Sequence, residues 1–192
     1  MPLQMRGHFR FNNITMKHAL LFLLLAFSCP VFSQKPFIRL PQEFENFRFD
    51  STTVKEARKI LGRPSKKFHS KMYALFSGGY CQRSYTARYT YTAPDCQLFF
   101  RSYGEEDRNA QPLREITLQK GTVFAPADFL QIGESTVNRV RGAFGAPVDA
   151  SEVNEDIEYT LSYDLSCQHQ DVRADFVFDG NHILKRVSVS MY

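Results

Sequence analysis

Asp50-Ser-Thr-Thr-Val-Lys-Glu-Ala-Arg-Lys-Ile-Leu-Gly-Arg-Pro64 returns 83 residues later as Gly133-Glu-Ser-Thr-Val-Asn-Arg-Val-Arg-Gly-Ala-Phe-Gly-Ala-Pro147. Each copy opens with hydroxyl residues, runs through an apolar stripe and closes on Gly-x-Pro. Thr53 with Glu56 has the spacing of a capping box, in which hydroxyl and carboxylate each satisfy an orphan amide. Val54, Ala57, Ile60 and Leu61 then recur at helical spacing, and Gly62 and Pro64 end the helix. In the second copy Ser135 or Thr136 caps, Val137, Val140 and Phe144 form the stripe, and Gly145 and Pro147 stop it.

Strand patterns follow each helix. Tyr85–Tyr91 alternates, Ala93-Pro94-Asp95 reads as a turn and Gln97–Tyr103 as the return strand, before Leu113–Leu118. The second set is Glu158–Leu165, Val172–Phe178, the turn Asp179-Gly180-Asn181, and Leu184–Val189. Between helix and strands the first copy carries an excursion, Lys66–Arg83, read as a long loop with an edge strand around Tyr73–Phe76.

The fold class expected is therefore α+β: two tandem helix-plus-antiparallel-strand units, residues 34–120 and 121–192, with helices on one sheet face. Strand alternation assigns faces. Tyr85, Tyr89, Tyr91, Ile116, Leu118, Tyr159, Leu161, Tyr163, Ala174, Phe176, Phe178, Val187 and Val189 should point toward the helices. The solvent face should carry Thr86, Arg88, Thr90, Glu115, Thr117, Thr160, Ser162, Asp164, Arg173, Asp175, Arg186 and Ser188.

Residues 1–33 read as a leader. Met16-Lys17 precedes an apolar run, Ala19–Phe27, too short to span a bilayer, and Val31 and Ser33 suit cleavage before Gln34. Met16 is then the natural initiator, and export to the periplasm or the medium is expected. Phe27 and Pro30 argue against Cys29 as a lipid-bearing terminus. The leader holds Arg6, Arg10 and Lys17 and no acid. Of the 24 basic residues 21 then remain against 20 acidic ones. With the mature charge near zero, nucleic-acid binding loses its electrostatic support.

No catalytic, metal or cofactor constellation stands out. Cys167-Gln-His169 lacks the second ligand pair of a structural zinc site. It is the one place where a thiol-dependent enzyme could be centred. Tyrosine-rich strands leave a small-ligand or glycan site open as an alternative. The sharper candidate is the solvent face of the sheet. There Arg88, Arg173, Asp175 and Arg186 would sit among small hydroxyls such as Ser188, leaving room for a partner protein.

Phe129-Leu-Gln-Ile132-Gly133 with Ser135, Thr136 and Val140, and Phe144-Gly145-x-Pro147, resemble a motif of the secreted β-lactamase inhibitor protein. They also resemble the small outer-membrane assembly lipoprotein family (SmpA/OmlA type). In the first copy Phe44, Phe49 and Leu61-Gly62-x-Pro64 fit, while Asp50 stands in place of the glycine. The resemblance implies a non-enzymatic exported binding protein. It also implies a disulfide within each repeat, favouring Cys81–Cys96. Pairing of Cys167 with Cys96 is the alternative.

Overall fold

The computed structural model describes residues 35–75, 81–104, 107, 109–126, 128–153 and 158–191. The leader expected over residues 1–33 lies outside the described residues. So does part of the acidic stretch Glu152–Asp156.

Two helices stand where the repeated sequence puts them: α1, Val54–Leu61, and α2, Val137–Phe144. Their ends match closely. Thr53 and Thr136 are extended caps whose side chains accept from Glu56 N and Arg139 N, and Thr53–Glu56 closes the capping box. Gly62 (φ 77°) and Gly145 (φ 82°) end them in the left-handed region that glycine enters without strain. Asp50 (φ 65°) adopts the same unusual φ sign as its counterpart Gly133 (φ 93°), and an ion pair with Arg114 holds its side chain.

Everything else of size is strand. The first half supplies β1 (Lys66–Leu75), β2 (Cys81–Thr92), β3 (Asp95–Tyr103) and β4 (Leu113–Leu118). A small hairpin, β5 (Thr122–Phe124) with β6 (Phe129–Gln131), precedes α2. After α2 come β7 (Asp149–Val153), β8 (Glu158–Cys167), β9 (Gln170–Phe178) and β10 (Leu184–Ser190).

The expected α+β class, two helix-plus-strand units, is corrected here. Among the described residues the chain is mostly antiparallel sheet, 54% strand against 14% helix. Eight strands form one continuous sheet ordered β1-β2-β3-β4-β10-β9-β8-β7. The physical reason is the seam between β4 and β10. Leu118 opposite Val187 and Ile116 opposite Val189 join both strand sets through a shared apolar row. Each helix, stopped after eight residues by its glycine, is too short to form a layer of comparable weight.

The large sheet goes beyond the expected strand set at both edges. Lys66–Leu75, expected as a loop with an edge strand around Tyr73–Phe76, is a ten-residue edge strand, paired with β2 along its whole length. Asp149–Val153 pairs with β8 at the other edge.

Much of the inner face follows the expected alternation, while Thr86 and Ser162, expected on the solvent face, are buried. Tyr89, Tyr91, Leu98, Phe100, Ile116, Leu161, Tyr163, Phe176, Phe178 and Val187 are buried together on the inner face. Tyr159 is only half-buried. Phe144 from α2 reaches Phe176 and Tyr163 at ring-centroid distances of 5.2 and 5.5 Å. Val54 and Ala57 bury the inner side of α1, whereas Ile60 is 45% exposed, contrary to its place in the expected stripe. The segment before α1 closes the core with Ile38, Leu40, Phe44, Phe47 and Phe49. Gln170 clasps it, accepting from Phe49 N and donating to Phe49 O.

Candidate functional surface

Register places the five expected contact residues on the outer face and shows what each one does there. Ser188 lies opposite Thr117 and Asp175, and Arg173 lies opposite Asp164. In this half of the face the charges are spent internally. Arg173 bonds Asp175 and Asp149, both at 3.4 Å. Glu158 takes Lys185 at 2.6 Å and Arg186 at 3.1 Å. These bonds, Lys185's first, hold the Glu158 carboxyl below the ordinary range. Ser188 donates to Glu115 Oε1 (2.7 Å) and meets Thr117 Oγ1 at 2.6 Å. Arg173, Asp175, Arg186 and Ser188 therefore each hold a bond within the sheet face, the arginines while still partly exposed.

Arg88 differs. It is exposed and has no ion pair or hydrogen bond among the described residues, and its guanidinium lies 5.8 Å from the Phe99 ring centroid. Around it the outer faces of β1, β2 and β3 form three cross-strand rows: Phe68–Arg88–Phe99, Ser70–Thr86–Arg101 and Met72–Ser84–Tyr103. The middle residues Thr86 and Ser84 are small and buried beneath their neighbours, although they lie on the solvent side of the sheet. Arg101 lies 5.7 and 5.8 Å from the Phe99 and Tyr103 ring centroids and donates to Tyr103 Oη at 3.4 Å. Phe68, Met72 and Tyr103 keep 63%, 50% and 39% of their surface in solvent.

This is an arginine–aromatic patch, the composition in which binding hot spots concentrate. Cation–π stacking also orders its guanidinium groups in advance, at less cost in entropy when a partner arrives. Phe68, Phe99, Arg101 and Tyr103 were not singled out from the sequence. Adjacent Phe99 and Phe100 carried the signal, since in a strand one of two neighbouring rings must face outward.

The cysteines do not behave as expected. Cys96 is a free, buried thiol, with Tyr91 of β2 opposite it. Cys81 begins that same strand, so ten residues of extended chain, about 33 Å, separate it from the Cys96 end. A disulfide needs Cα atoms about 6 Å apart, so Cys81–Cys96 is corrected. Cys167 is also free and buried. Burial pushes the two thiols up, Cys96 to about 12 and Cys167 to about 11.

Cys167 is therefore a protonated core thiol at neutral pH, and His169 lies in the exposed turn beyond it (φ 65°). That is the reverse of an activated nucleophile. Tyr89, Tyr91 and Tyr163 are core residues, so their rings are occupied with packing. Among the described residues no cluster of three His, Cys, Asp or Glu side chains could hold a metal ion. Among them, too, no helix is long and apolar enough to cross a membrane.

No family model, no curated protein and no solved structure matches the chain.

Proposed function

We propose that the chain is a non-enzymatic exported binding module that holds another protein against the outer face of β1, β2 and β3. One observation carries this reading. Arg88, Phe99, Arg101 and Tyr103 form a contiguous, stacked and solvent-facing patch, extended by exposed Phe68 and Met72. A partner suited to it presents carboxylates for the two guanidinium forks and an apolar tip to cover the rings. The sequence resemblance to inhibitor and envelope-assembly proteins points toward the same kind of role.

The test is affinity capture from the envelope fraction with three forms of the chain: wild type, Arg88→Glu/Arg101→Glu and Arg173→Glu/Arg186→Glu. A protein retained by the wild type and lost with the first double variant supports the patch. Retention by both variants, with native circular dichroism, refutes it as the binding surface. The third form separates this patch from the network side of the same face.

A further inference from the structure

The two helices begin and end alike but treat their charges differently. On α2 every arginine has a partner. Arg139 makes two 2.8 Å bonds to the Asp128 carboxylate, and Arg141 donates to Tyr159 Oη at 2.8 Å. On and just beyond α1, Lys55, Arg58, Lys59 and Arg63 have neither an ion pair nor a side-chain hydrogen bond among the described residues. Glu56, the single acid of α1, is turned away to Thr53, accepting from its backbone N at 2.8 Å and its hydroxyl at 3.0 Å.

These four cations converge. With Gly62 and Asn109 they line one open cleft of about 360 Å³. Lys55–Lys59 and Lys59–Arg63 are four apart and Lys55–Arg58 three apart, spacings at which like charges face and repel each other on a helix. The helix dipole favours Arg58 and Lys59 near the C-terminus. It opposes Lys55 in the first turn, so the dipole does not account for the set. A bound anion would. The charge collected here suits a dianion or higher better than a single carboxylate. Two guanidinium forks, two ammonium points and one amide are the donors that phosphate oxygens accept.

We infer that the cleft beside α1 is a binding site for a phosphate-bearing anion. Two sources share that chemistry, a soluble phosphate and a phospholipid headgroup, and the experiment separates them. The full chain is titrated calorimetrically with inorganic pyrophosphate. It is also sedimented with vesicles of phosphatidylglycerol or of phosphatidylcholine, all at about 0.15 M salt, where weak surface attraction is screened. Lys59→Gln/Arg63→Gln is compared with Arg139→Gln/Arg141→Gln, which removes the same number of cations from α2.

Saturable binding of pyrophosphate, weakened at least about tenfold by the α1 pair and left nearly unchanged by the α2 pair, supports a soluble-phosphate site. Binding confined to phosphatidylglycerol vesicles with the same variant pattern supports a headgroup site. Absence of binding in both arms overturns the inference. So does equal weakening by the two double variants, which would reduce it to net charge.

Discussion

Removing the ring of Phe176 tests how the sheet and α2 are held together. Its side chain is wholly buried on β9, 5.2 Å from the Phe144 ring and 5.7 Å from Tyr163, the latter edge-on. A buried Phe→Ala change loses the transfer energy of the ring and leaves a cavity, together about 4 kcal/mol. Of this, two aromatic pairs at about 1 kcal/mol each depend on ring geometry rather than apolar volume. Phe176→Leu, which keeps most of the volume, should therefore cost about 2 kcal/mol. Phe124, a half-exposed phenylalanine of β5, is the control, and Phe124→Ala should stay within about 0.5 kcal/mol of wild type.

Equilibrium urea unfolding followed by circular dichroism reads these differences as shifts in midpoint at constant slope. Since whole domains hold about 5–15 kcal/mol, the alanine variant should lose a large share of its stability. A cost below about 1 kcal/mol for Phe176→Ala, or one equal to that of Phe124→Ala, would refute the packing of α2 on this part of the sheet.

Other outcomes follow from single sites. Tyr91 Oη is buried without a hydrogen-bond partner among the described residues, and burial pushes its phenol up to about 12. Tyr91→Phe should thus leave the protein as stable as wild type, or more stable by about 1 kcal/mol, in the same urea assay; a loss of that size would contradict the orphaned hydroxyl. The bond from Arg139 lowers Asp128 from 3.8 to about 2. The stabilisation linked to this depressed carboxyl is complete above pH 4 and disappears as pH falls through about 2. Arg139→Gln should return the Asp128 midpoint toward its ordinary value, read by carboxyl-carbon magnetic resonance. Cys96 and Cys167 should resist thiol reagents in the native protein and react on unfolding, and Cys96→Ser should cost about 2 kcal/mol. A peptide map showing Cys96 oxidised to Cys81 would contradict the register of β2 and β3.

Much of the local structure was legible because it is written in short-range chemistry. Thr53-x-x-Glu56 and the glycines at 62 and 145 set both helices, and alternation in β2, β8 and β9 set the faces. Fold class is harder to read because helix signals are compact and conspicuous. The β4–β10 pairing that builds one large sheet joins residues about seventy positions apart, as at Thr117 and Ser188. Most of β1 reads as a loop in the sequence, with an edge strand only around Tyr73–Phe76, because it inverts the usual pattern. Phe68 and Met72 point to solvent, while Lys67 and Lys71 share the inner side at an uncovered edge.

The candidate surface was half legible for the same reason. Parity placed Arg173 and Arg186 on the right face. Parity could not show that Asp149, 24 positions from Arg173, and Glu158, 28 from Arg186, would occupy them. Nor could it show that, among the described residues, Arg88 would be left stacked on Phe99 without an ion pair.

A partner protein on the β1–β3 patch is open to direct test. A photo-reactive phenylalanine analogue placed in turn at Phe68, Tyr103 and Phe129, followed by irradiation in the intact envelope, tests it most directly. All three side chains are exposed, but only the first two belong to the patch. One and the same protein should cross-link at positions 68 and 103, and none of it at 129. Cross-linking at 129 alone, or of different proteins at 68 and 103, would contradict a single partner seated on the arginine–aromatic face.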